Sequence, residues 1–256
     1  MNFGICILNA IPLREEANDK SEMVSQILFG ETFTITDSEN KWVKIILDFD
    51  QYEGWVHINQ VNSLNENEYN KIKNNNSFTL NDLITFVSDQ KNNLQTISLG
   101  ASLPLFKDNT FQIVDQKYDL EGVVNHGKTL KSELVRTAHM YLNSPYLWGG
   151  RTPFGIDCSG FTQMVYKING YKLFRDPFQQ ASQGEVLSFI EESEPGDLAF
   201  FDDEEGEIIH VGIILDNNYI IHCDGKVRID RLDHSGIYNV DTKRHTHKLR
   251  IMKKVI

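Results

Sequence analysis

The sequence predicts an α+β protein: two small β-barrels, then a domain in which helices pack on an antiparallel sheet. Three observations carry this. Short β-branched and aromatic runs, separated by turn residues, fill the first half of the chain. After Lys128 the apolar period becomes helical. After Pro195 strand texture returns, so helices precede a meander and do not alternate with strands.

Residues 1–62 hold strand-like runs at 5–8, 31–36, 41–46 and 54–58, with turns at Gly30, 37–40 and 48–54. Short strands at this spacing make a small barrel. Residues 63–77 are rich in Asn, Glu and Lys, have little to bury, and read as a polar linker. Residues 78–127 repeat the strand texture at 78–80, 83–87, 96–100 and 111–114, a second small β module.

The domain at 128–256 opens with a helix over 132–142. It places Leu134, Val135, Ala138, Tyr141 and Leu142 on one face, with Ser132 as N-cap. A Pro- and Gly-containing loop follows, then a second helix opening near Cys158, striped by Phe161, Met164, Val165 and Ile168 and stopped at Gly170. Strands are expected at 197–201, 208–215, 219–223 and 248–252. The tight connection at 216–218 makes the middle pair a hairpin.

Composition limits the function. The 256 residues suit two or three compact modules. Lys and Arg number 25 against 36 Asp and Glu, so the net charge is −11, which disfavours a nucleic-acid partner. No run approaches the ~20 apolar residues of a membrane span. The first residues lack a basic n-region, and Asn9 and Pro12 break their apolar run, so they do not read as a secretory signal. Three widely spaced cysteines are no disulfide framework. The expected location is therefore the cytoplasm.

Cys158 falls at the first turn of a helix, where partial positive charge and unpaired N–H groups favour a thiolate and can hold an oxyanion. A reactive thiol needs a base. His210 and His222 lie on the two strands of the expected hairpin and can face the helix that presents Cys158, one accepting the proton and the other orienting it. Zinc is the competing use of Cys158, His210, His222 and Cys223. No CxxC or HxxxH pair exists among them, and adjacent His222 and Cys223 in a strand point to opposite faces, so no metal is expected.

Five motifs run in order through the last domain: Tyr146-Leu147-Trp148-Gly149-Gly150, Asp157-Cys158-Ser159-Gly160-Phe161, the stretch 194–201 (EPGDLAFF), Ile209-His210-Val211-Gly212-Ile213, and Ile220-Ile221-His222-Cys223. On these residues the domain resembles the NlpC-type, papain-like cysteine peptidases of the cell wall. Residues 21–31 and Tyr52-Glu53-Gly54-Trp55-Val56 resemble the bacterial SH3-like modules that accompany this peptidase, and the middle module matches by texture and position. Together they resemble the branch that cuts γ-D-glutamyl-L-diamino acid bonds. The resemblance implies Cys158 as nucleophile, His210 as general base, His222 as its orienting partner and Tyr146 beside the oxyanion. It also implies that Asp157 and Ser159 line the substrate cleft. Tyr52 and Glu22 of the first SH3-like module would hold the free amino terminus of the substrate. No cofactor is implied, and the expected partners are murein-derived peptides. A wall amidase or hydrolase on the same scaffold, and a non-catalytic wall-peptide binder, are the competing readings.

Overall fold

The computed structural model describes residues 2–75 and 78–256. The chain divides into two compact units, one of Met1–Lys128 with Arg151–Pro153, the other of Thr129–Gly150 with Phe154–Ile256.

In the first unit a seven-stranded antiparallel sheet runs in the order Met23–Leu28, Ala10–Arg14, Glu53–His57, Trp42–Leu47, Thr32–Glu39, Phe3–Ile5, Asn62–Leu64. Alternation along Trp42–Leu47 sends Val43, Ile45 and Leu47 inward, where they meet Ile11, Leu13, Ile27, Phe33 and Val56. The strands of residues 78–127 form a separate four-stranded sheet, Leu94–Ser98, Ile84–Asp89, Gln116–Leu120, Thr110–Ile113, beside the pair Phe78–Leu80 and Val124–His126.

Where the composition suggests a polar linker, the structure forms the strand Asn62–Leu64 and the helix α1 (Glu66–Lys73). Asn65 caps α1 reciprocally: its side chain accepts from the Glu68 N–H at 3.0 Å, and Glu68 Oε2 accepts from the Asn65 N–H at 2.8 Å. Leu64 and Tyr69 enter a core that takes in Ile5 and Phe29 from one side and Leu80, Val87, Ile97 and Phe111 from the other. One buried residue in an eight-residue helix leaves no stripe to read, so the polar composition hides it. The linker's last two positions, Asn76 and Ser77, lie outside the described residues.

The excursion Arg151–Pro153 belongs to this unit. The Arg151 guanidinium is fully buried, donates twice to Glu31 at 2.9 Å, and also donates to the Gln26 carbonyl at 2.7 Å.

The second unit is a closed barrel with helices against it. Six strands pair in a ring: Leu198–Asp202, Ile208–Leu215, Tyr219–Asp224, Lys226–Asp233, Gly236–Asn239 and Arg244–Lys254, the last pairing back to the first. The expected sheet lacked Lys226–Asp233 and Gly236–Asn239, the two that close it. Helix α2 (Lys131–Met140) buries Leu134, Thr137 and Ala138. Ser132 does not cap it; Leu130 holds the cap position without a side-chain bond, and Leu142 faces solvent. Helix α3 (Cys158–Ile168) is buried along its whole length and ends before Gly170, whose φ of +82° a side chain would disfavour.

Candidate active site

Asp157 sets the start of α3. One carboxylate oxygen accepts from the Gly160 N–H at 2.6 Å and the other from the Gly149 N–H at 2.8 Å, joining the helix start to the preceding glycine loop. Gly160 permits this closeness, since a Cβ there would lie 2.3 Å from the Gly150 carbonyl oxygen. Arg175 closes the cluster, reaching both Asp157 oxygens at 3.0 and 2.5 Å and the Ser159 hydroxyl at 2.8 Å. Asp157 and Ser159 are both buried. Their contacts hold the start of α3 in place.

Cys158 is the first residue of α3 and is 8% exposed. Its Sγ lies 4.0 Å from the Ile209 carbonyl oxygen and hydrogen-bonds the Val211 N–H, so the thiol sits against the peptide stretch centred on His210. The helix position does not yield a standing thiolate. Burial first, and the Asp157 charge second, push the thiol up to about 12, against the pull of the Val211 and Ser159 N–H groups and of Arg175. The expectation of a lowered thiol is therefore corrected: desolvation outweighs the helix terminus, and the thiol rests protonated.

Two imidazoles lie on the neighbouring strands. Gly212 pairs with His222 and Ile213 with Ile221, so His210, Gly212 and His222 share one face of the expected hairpin. His210 Nε2 lies 2.9 Å from His222 Nδ1. Gly212 makes room for the pair, because a Cβ there would approach the His222 Cβ to 2.9 Å. Burial, and then the neighbouring His222 and His247, hold His210 well below the usual histidine range, leaving it neutral and able to accept a proton. Tyr146 keeps 40% of its surface in solvent, and its hydroxyl is pushed up to about 12 by burial and then by Cys158 and Asp157, so it stays protonated as a donor within electrostatic reach of the thiol. Glu22 and Tyr52 lie in the first unit, Glu22 exposed and Tyr52 half-buried against that unit's barrel core.

Four residues of the site escaped the sequence reading. Arg175 is one. Asp230 is the second, its Oδ2 3.1 Å from His222 Nε2, and Arg228 the third, gripping Asp230 at 2.6 and 3.1 Å. The spacing in Lys226–Asp233 carried a signal for these two: Arg228 and Asp230 are two apart and so share one face with Leu232, with Arg228 opposite His222. The fourth is His247, stacked on His210 with ring centroids 4.1 Å apart and planes 24° apart. The ligand-type nitrogens of His210, His222 and His247 all lie within 4.8 Å of one another. The stacking keeps the lone pairs of His210 and His247 in nearly parallel planes, and His210 already engages Nδ1 of His222.

A thiol at a helix start, set against imidazoles carried by a closed barrel, is a papain-like layout. Residues 143–246 match the family model described as the NlpC/P60 family, and residues 13–61 match the bacterial dipeptidyl-peptidase SH3 domain. The chain belongs to the NlpC/P60 family. It is 30% identical to a γ-D-glutamyl-L-lysine dipeptidyl-peptidase of Bacillus subtilis (strain 168) over 217 residues, 77% of this chain and 71% of the relative. It is 29% identical to a protein of the same name from Bacillus cereus (strain ATCC 10987), over 79% of this chain and 67% of the relative. A crystal structure of an NlpC/P60 family protein from Bacillus cereus ATCC 10987 has the same fold, with a TM-score of 0.83, 19% identity, and 99% of each chain covered.

Proposed function

We propose that the protein is a cysteine endopeptidase that hydrolyses the bond between γ-D-glutamate and the following diamino acid in murein peptides with a free amino-terminal L-Ala, in cytoplasmic recycling of wall peptides. The observation that carries this reading is the Cys158 thiol set against the His210 strand, with His210 hydrogen-bonded to His222. The names of the two Bacillus relatives support the substrate class.

The chemistry follows from the protonation states. Cys158 Sγ attacks the γ-carbonyl carbon as its proton passes to His210, and the carbonyl electron pair moves onto oxygen. N–H groups of the first turn of α3, with the Tyr146 hydroxyl, receive that oxyanion. His210 then gives its proton to the departing amine, leaving a thioester on Cys158. Water activated by His210 hydrolyses the thioester and frees the thiol. No metal or organic cofactor is needed for these steps.

Resemblance to the branch assigns the two amino-terminal modules, the second read as another SH3-like barrel, to restricting what enters the cleft. Glu22 and Tyr52 are the candidates for holding the substrate's ammonium. Stem peptides of intact wall have their amino termini blocked by the glycan linkage and would be poor substrates. The test compares L-Ala-γ-D-Glu-L-Lys with its N-acetylated form. A preference for the free peptide of the order of 10³–10⁴-fold in kcat/KM is expected, since buried polar partners left unpaired discriminate strongly. Tyr52→Ala and Glu22→Ala should narrow that preference. Equal rates for the two peptides would point to a hydrolase of intact wall, and full activity in Cys158→Ala or His210→Ala would end the thiol mechanism.

A further inference from the structure

Asp230 lies on the Lys226–Asp233 strand, two residues from the position opposite His222, and shows no surface to solvent. Its four short contacts all come from donors or a ring nitrogen. Oδ2 meets Arg228 Nε at 2.6 Å and His222 Nε2 at 3.1 Å, and Oδ1 meets Arg228 Nη2 at 3.1 Å and the Val240 N–H at 2.9 Å. Burial alone would favour the protonated acid. The hydrogen bonds from His222, Arg228 and Val240 outweigh it and hold Asp230 well below the usual carboxylate range.

An ionised carboxylate only accepts, and this fixes everything upstream. His222 Nε2 must carry a hydrogen to make its 3.1 Å contact. With that one hydrogen on Nε2, the His222 ring presents its lone pair at Nδ1. The 2.9 Å contact to His210 can only be donated by His210 Nε2–H. Neutral His210 is left with its lone pair on Nδ1, the remaining ring nitrogen of the residue whose flanking peptides touch the Cys158 thiol.

We propose that Asp230, clamped by Arg228, is the positioning residue that sets the tautomers of both histidines and so makes His210 Nδ1 the acceptor of the Cys158 proton. This rests on the peptidase reading above. During the attack the proton leaves Sγ for Nδ1 of His210, and it later goes to the leaving amine. Asp230 stays ionised throughout, because Arg228 and the Val240 N–H remain on it. The other charged or titratable groups facing this relay are Cys158 and Asp157 at the start of α3, Asp224 beyond His222, His247 stacked on His210, and Asp241, which holds Arg228 at 2.8 Å.

Asp230→Asn tests the tautomer directly. The amide must present an NH₂ either to Arg228 Nη2 and Val240 N–H or to Arg228 Nε and His222. Turned toward His222, it forces that ring to accept at Nε2, which inverts both histidines and places a hydrogen where the base is needed. The expected result is a kcat lower by about 10²- to 10⁴-fold with KM little changed, the size of a wrong-tautomer defect. Ring ¹⁵N shifts in the Cys158→Ala background should show His222 protonated at Nε2, and protonated at Nδ1 once Asp230→Asn is added. Arg228→Gln serves if that variant does not fold. It keeps the carboxylate but removes its neutralising partner, so the tautomer should persist while the acid limb of kcat/KM moves to higher pH, the uncompensated charge favouring an imidazolium. An ion pair with only a structural role would lower stability without moving that limb. Wild-type kcat in Asp230→Asn, unchanged ring shifts, or an unmoved acid limb in Arg228→Gln would overturn the relay. The ring shifts need no substrate, so they judge it even if the peptide assay fails.

Discussion

Arg175 reaches both carboxylate oxygens of Asp157, at 3.0 and 2.5 Å, in a site where both residues are almost wholly buried. Asp157 is the N-cap of the helix that begins with Cys158, so the guanidinium is bonded to the residue next to Cys158 in the chain. Losing it would leave an uncompensated buried carboxylate at the point that positions the thiol. Arg175→Ala should cost about 3–5 kcal/mol, a fall of roughly 10 °C in Tm by thermal denaturation. Arg175→Lys should recover only part of it, since an ammonium cannot make the forked contact.

Alkylation of Cys158 should report a buried thiol, not a resting thiolate. It is the least enclosed of the three cysteines, so iodoacetamide should label it before Cys6 and Cys223. With the thiol pushed up to about 12, the labelling rate should climb toward tenfold per pH unit between about pH 7 and 9. A rate already flat at pH 7 would mean a standing thiolate and contradict this.

Gly212→Ala should damage activity more than stability. The added Cβ would lie 2.9 Å from the His222 Cβ and 2.8 Å from Ile220 Cδ1. Relief of that overlap moves His222 off His210. Overpacking of this kind costs about 1–3 kcal/mol, whereas a displacement near 1 Å in a catalytic pair can cost about 10²-fold in rate. Steady-state kinetics beside a urea titration would separate the two effects.

The stability of the fold should carry a signature of His247. Burial first, and then His222, lower it to about 4. In the unfolded chain it takes up a proton near the ordinary value of about 6.5, while in the folded chain it does not until about 4. Stability from this group is therefore fully present above about pH 6.5 and is lost as the pH falls toward 4. Thermal midpoints measured across that window should decline less in His247→Asn than in the wild type. An identical slope would show that His247 ionises freely in the fold.

The place of Cys158 at a helix start, and the two histidines on one face of a hairpin, were legible because each is a local pattern: a Cys at a helix opening, and period-2 alternation on strands joined by a tight turn. Arg175 was not, since its link to Asp157 spans 18 positions and no periodicity reports it. Asp230 looked like one of many acidic residues until the strand carrying it paired beside His222. Helix α1 hid behind its own polarity, and the thiol's acidity was misjudged because burial cannot be read from a helix start.

The ring of six strands bears on how reliably the two imidazoles meet. In an open sheet, one strand can slide by a residue against its neighbour and turn every side chain over. Around a closed barrel the total stagger of the strands is a fixed property of the ring, so a slip at one seam must be made good at another. The Ile208–Leu215 and Tyr219–Asp224 strands each have a ring neighbour on both sides. The alignment of His210 with His222 is thus guarded by topology as well as by contacts, and local loosening of a loop cannot shift one ring past the other.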